Sequence, residues 1–89
     1  MAYEAEGRKI AADLTNQYGT LVEARCESKS PWRIVLVFTR GTWEVPSNFI
    51  FKFGYGGSGP DCFHAFLQAA GLNVSKSAVE SASEGTVLS

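Results

Sequence analysis

Glycine occupies positions 54, 56, 57 and 59 of the run Gly54-Tyr-Gly-Gly-Ser-Gly-Pro60, between the aromatic segment Phe49-Ile-Phe-Lys-Phe53 and the amphipathic stretch Asp61–Ala70. Glycine reaches positive φ without steric cost, and a purely structural turn rarely needs four of them in six positions. Pro60 suits the first turn of a helix, where its missing N–H has no partner to lose. The amides before it therefore sit at a helix N-terminus and face outward, an arrangement that holds anions. The chemistry this predicts is capture: the amides of Gly56, Gly57, Ser58 and Gly59, with the Ser58 hydroxyl, cradle a phosphate or carboxylate. A structural reading stands beside it, in which the glycines turn a strand sharply onto a helix and Asp61 alone compensates the helix dipole. A carboxylate at Asp61 also competes with an anionic guest.

An aromatic ring beside such a cradle can stack on a base, a contact worth about 1–3 kcal/mol. Tyr55 stands inside the loop. Trp32 and Trp43 open consecutive strands of a hairpin turning at Gly41, so they lie at opposite ends and only one of them flanks the loop. With Arg33, Arg40 or Lys52 near, the assembly makes a nucleotide pocket. The expected ligand-binding set is Tyr55, Gly56, Gly57, Ser58, Gly59, Trp43, Arg40 and His64, with core filling as the alternative role of either tryptophan.

Other chemistry fits less well. Gly54-x-Gly56-x-x-Gly59 has the dinucleotide-binding spacing, but a dinucleotide fold needs parallel βαβ units and an acidic residue about 20 positions on, and only Leu72-Asn-Val74 follows before a serine-rich tail. No Lys-Ser/Thr pair follows the glycines, so the loop is not a P-loop either. Cys62 falls in the first helical turn, where the dipole lowers a thiol pKa. His64, two residues on, points to a different face, which makes a Cys–His dyad poor and a packed role for Cys62 preferred. An enzyme built on Cys62, His64 and Asp61 is accordingly disfavoured, and no catalytic residue is expected. One histidine and two cysteines, Cys26 and Cys62, match no metal-ligand spacing, so no metal and no cofactor are expected.

The segment Phe53-Gly-Tyr-Gly-Gly-Ser-Gly-Pro60 followed by an alanine-rich helix resembles a stretch of small uncharacterised domains found in phages, plasmids and bacteria. The likeness covers residues 49–72, and Asp61-Cys-Phe-His64 departs from the plainer residues expected there. It implies a mobile-element origin and, by analogy with other short proteins of that origin, a part in countering host defences.

The chain's 89 residues suit a single domain with a small stability margin, which homo-oligomerisation would supplement. A net charge of −1 and a pI of about 5.7 exclude a general polyanion surface, so no extended nucleic acid is expected as partner. The charge is uneven: Arg25, Lys29, Arg33, Arg40 and Lys52 outnumber Glu23, Glu27 and Glu44 in residues 20–53, and the balance reverses after residue 54. No stretch has the length and apolarity of a membrane span or a signal peptide, so the expected setting is cytoplasmic, away from a membrane.

The elements that must position the loop follow from periodicity. Tyr3, Gly7, Ile10, Ala11, Leu14 and Tyr18 share one stripe of a helix over residues 2–18 that either frays at Gly7 or starts near it, and Gly19 stops it. Thr20–Ser28 alternates as a strand. Trp32–Arg40 is apolar at every central position, which predicts a middle strand covered on both faces. Thr42–Val45 and Phe49–Phe53 read as further strands, and residues 60–70 as a helix burying Phe63, Phe66, Leu67 and Ala70. Ser75 caps a short helix before an edge strand at Thr86–Leu88. The predicted class is α+β: an N-terminal helix, a three- to four-stranded antiparallel sheet, a second helix after the glycine-rich loop, and a short C-terminal element. Two functions are compatible with it. The first is a non-enzymatic module capturing a small phosphorylated molecule such as a nucleotide signal. The second is a protein-interaction module that inhibits a host protein or self-assembles through an exposed aromatic face of the sheet.

Overall fold

The computed structural model describes residues 2–89. Helix α1 spans Ala2–Tyr18, and strands β1 (Leu21–Lys29), β2 (Trp32–Phe38) and β3 (Gly41–Val45) form an antiparallel meander. Helix α2 (Ser58–Ala69), the short helix α3 (Lys76–Glu80) and strand β4 (Thr86–Leu88) complete the chain. The sheet order is β3-β2-β1-β4, with every pair antiparallel. This is the α+β class expected from the sequence, and no described helix is long and apolar enough to cross a membrane.

The segment at 49–53 departs from expectation. It joins no strand ladder: the four strands of the sheet are β3, β2, β1 and β4. Its alternation records burial instead. Phe51 and Phe53 are fully buried, and the Phe51 ring lies 5.2 Å from that of Phe63 and 4.7 Å from that of Phe66 on α2. The Lys52 ammonium donates to the Phe49 carbonyl at 2.6 Å, and the Gly54 amide to the Val79 carbonyl at 2.9 Å, so part of the segment's polar backbone is satisfied without a neighbouring strand. The fourth strand of the sheet is β4.

Gly7 does not end α1. It lets α1 cross α2 closely: a Cβ at this position would overlap the Cys62 carbonyl oxygen and lie 3.0 Å from the Phe66 amide nitrogen. Gly7, Ala11 and Leu14 are buried along the helix stripe, whereas Tyr3 is exposed.

Ala24, Cys26, Ile34, Leu36, Phe38 and Val45 point from the sheet into one core shared with Phe63, Phe66 and Leu67 of α2. The other side of the sheet meets solvent. There Arg25, Arg33 and Glu44 are exposed, Val35 and Val37 are half-buried, and Val87 is 50% exposed. The expectation that β2 is covered on both faces is therefore corrected: its outward valines satisfy strand propensity on an open surface. The expectation of an exposed aromatic face is corrected as well. In the register of the sheet Trp32, Phe38 and Trp43 share the inward side with Ile34, Leu36 and Val45.

Candidate functional site at the glycine-rich loop

The four glycines divide into two kinds. Gly54 adopts a φ of +85°, a conformation that a side chain disfavours, and a Cβ there would overlap the Lys29 ammonium and come within 2.9 Å of the Ala82 carbonyl oxygen. Gly59 is buried, and its missing side chain lets the first turn of α2 lie against residues 50–52. A Cβ on it would sit 2.6 Å from Lys52 Cγ and 3.1 Å from the Ile50 carbonyl oxygen. At both positions the space a side chain would take is already filled, so these glycines serve the packing of the loop. Gly56 and Gly57 are exposed, and a Cβ on Gly56 would meet only the Glu80 carboxylate, at 3.5 Å.

Helix α2 begins two residues earlier than Pro60 predicts, at Ser58, with Gly57 as its N-cap and no side chain capping it. The Gly57 carbonyl accepts from the Asp61 amide at 3.0 Å. The amides of Gly56, Gly57, Ser58 and Gly59 donate to no carbonyl or side-chain oxygen among the described residues. That follows from helix geometry, since the first turn has no preceding turn to bond to. Asp61 does not occupy them. Its Oδ1 lies 2.8 Å from the Lys76 ammonium, and this contact is the main reason the Lys76 pKa is raised above its ordinary value. The Lys76 ammonium is thus the charge that balances this enclosed oxygen.

Of the rings and charges weighed from the sequence, Tyr55, Trp32 and Lys52 stand at the loop, and Lys29 joins them. Tyr55 is 46% exposed, and its ring centroid lies 6.4 Å from that of Trp32, which packs edge-on against Phe53 at 5.3 Å. The Lys52 ammonium sits 5.1 Å from the Trp32 ring, and partial burial lowers its pKa. Lys29 lies over Phe53 at 5.8 Å, beside Gly54. Trp32 is thus the tryptophan at the loop. Trp43 packs on Phe49 at 5.6 Å and pairs with Leu36, four residues along β2 from Trp32 and so about 13 Å away along the strand.

Arg40 is farther still, about 25 Å along β2 from Trp32 at strand spacing. Its amide donates to the Tyr18 carbonyl at 2.8 Å and its guanidinium to that of Asn16 at 3.4 Å, closing the β2–β3 turn onto the end of α1. The places given to Trp43 and Arg40 at the loop are corrected on these grounds. His64 is half-buried, and its Nε2 lies 3.1 Å from the Val74 carbonyl, to which Gln68 also donates at 3.4 Å. A carbonyl only accepts, so Nε2 carries the proton, and His64 ties α2 to the chain entering α3.

Neither thiol is poised as a nucleophile. Burial pushes Cys62 up to about 11, with the Glu6 charge adding to it, and burial alone pushes Cys26 up to about 12. Desolvation therefore outweighs the helix dipole expected to lower Cys62. Two open clefts, of about 510 Å³ beside Arg25, Glu27 and Val87 and about 380 Å³ beside Trp32, Arg33 and Pro46, flank the outer side of the sheet, and neither is lined by residues of the loop. No family model matches the chain, and no curated protein and no solved structure matches it either.

Proposed function

We propose that the chain is a non-enzymatic binding module that captures a small phosphorylated molecule at residues 55–58. Phosphoryl oxygens accept from the amides of Gly56, Gly57 and Ser58 and from the Ser58 hydroxyl, and an attached base or ring lies on Tyr55. The observation that carries this reading is the pairing of Asp61 with Lys76 at 2.8 Å. It leaves the amides at the start of a 12-residue helix without an internal carboxylate to satisfy them. Trp32 backs Tyr55, and Lys29 and Lys52 lie on the sheet side of the loop. With both thiols buried and His64 tied to Val74, the loop is suited to holding a ligand rather than converting it.

Glu80 works against an anion, since its carboxylate faces Gly56. Removing that charge should tighten binding by about two- to fivefold, the effect of one like charge at an exposed helix end. Thermal melts of the chain with inorganic phosphate, AMP and a cyclic dinucleotide test the reading. A ligand at about 100 times its dissociation constant stabilises by about 2.7 kcal/mol, which in a chain of this size raises Tm by about 10 °C or more. At least one nucleotide should give such a shift, enlarged in Glu80→Gln. No shift from any member of the panel in either protein would remove the proposal.

A further inference from the structure

Among the described residues no element covers the outer side of the sheet. Val35 and Val37 of β2 form its centre, with Val87 of β4 exposed beside Arg25. We propose that this face packs on the same face of a second copy of the chain.

The charges on the face favour that occupant. Arg33 Nε lies 3.0 Å from a Glu27 oxygen and 3.6 Å from a Glu44 oxygen, and Arg25 Nε lies 2.6 Å from Glu23. Two arginines against three glutamates leave almost no net field to draw a strongly charged partner. Signs that alternate over a few ångströms can instead complement themselves across a two-fold axis. The register says which axis does so. Arg33 pairs with Ser28, next to Glu27, and Val35 pairs with both Arg25 and Glu44. An axis running along the strands between β1 and β2 exchanges those two strands. It sets Arg33 over Glu27 of the second copy, and Arg25 over Val35 and beside Glu44 of the second copy. An axis across the strands would instead place Arg25 on Arg25 and Glu23 on Glu27. In the favoured arrangement the arginine stems also cover the valines.

The area sets the strength. Four strands about 4.8 Å apart, of nine, seven, five and three residues, present roughly 380 Å² per copy, or about 760 Å² in all. That is below the size of most stable interfaces, so the dimer is a weak one that forms as concentration rises.

Sedimentation of the full chain from about 10 μM to about 1 mM, the range in which such a contact equilibrates, is the test. A monomer–dimer equilibrium is expected. Val35→Lys, which sets a lysine against Arg25 of the second copy, and Val87→Glu, which sets a carboxylate against Glu44 of the second copy, should each weaken it at least about tenfold while circular dichroism stays unchanged, and Val87 is exposed enough to tolerate the change if Val35 is not. Arg33→Glu should weaken it too, and Arg33→Glu combined with Glu27→Arg should restore it. A chain that stays monomeric at every concentration overturns the proposal. So does a dimer that both the Val35→Lys and the Val87→Glu variant leave intact, because its contact lies on another face.

Discussion

At the scale of single residues, Gly56 and Gly59 separate a binding loop from a packed corner. An alanine methyl at position 59 would lie 2.6 Å from Lys52 Cγ, 2.9 Å from Lys52 Cβ and 3.1 Å from the Ile50 carbonyl oxygen. Two of those neighbours are backbone or next to it and have no rotamer to escape into, so Gly59→Ala should destabilise by about 1–3 kcal/mol. Gly56→Ala meets only a glutamate tip at 3.5 Å, at a φ outside the left-handed region. Its stability should change by less than about 1 kcal/mol, in the stabilising direction if anything. Urea midpoints of the two variants decide the matter, and equal losses would make the whole loop architecture. Sequence spacing marked the loop but not this division, because it counts glycines without showing what stands opposite each. The same limit hid Trp32: both tryptophans open strands, and only the path of residues 46–57 determines which end of the hairpin the loop reaches.

Among the elements, the helices were legible and one supposed strand was not. The apolar stripes of α1 and α2 have a single physical explanation, a face turned to a core: α2 buries Phe63, Phe66 and Leu67, and α1 buries Gly7, Ala11 and Leu14 with Ile10 and Tyr18 packed at the edge. Phe49–Phe53 has two explanations, since period-two alternation arises from a strand in a ladder and equally from an extended segment whose alternate rings enter the core. The outward, half-buried valines of β2 are ambiguous for a related reason, as β-branched residues suit a strand whether or not anything covers it. Gly7 shows a gain in packing outweighing local propensity. Alanine there would add about 1 kcal/mol of helix propensity. Its methyl would meet the Cys62 carbonyl and the Phe66 amide, backbone atoms held inside α2's own hydrogen bonds. Overpacking against an unyielding neighbour costs about 1–3 kcal/mol, so the steric effect should prevail and Gly7→Ala should lower Tm by several degrees. A raised Tm would mean that the two helices can part without loss.

For the molecule as a whole, the one-sided sheet concentrates the core between it and the helices, and both cysteines lie in that core. Their position ties global stability to alkaline pH. Folding raises the thiol of Cys62 to about 11 and that of Cys26 to about 12, from an ordinary value of 9.0. Below pH 9 both states hold these protons, and the contribution to stability is complete. Above it the unfolded chain gives them up while the folded chain keeps them, so the unfolded state is favoured progressively until pH passes the folded values. The slope for a thiol in that window is about −1.4 kcal/mol per pH unit at most, and less for Cys62, whose surroundings are less fully desolvated. In a domain whose total stability is a few kcal/mol, two such slopes bring unfolding near pH 10–11. Urea titrations at pH 8 and pH 10 should show the loss, and Cys26→Ala with Cys62→Ala should flatten it, leaving only what lysines and tyrosines contribute. An undiminished slope in that double variant would place the alkaline sensitivity outside the core, in surface ion pairs such as Lys76 with Asp61.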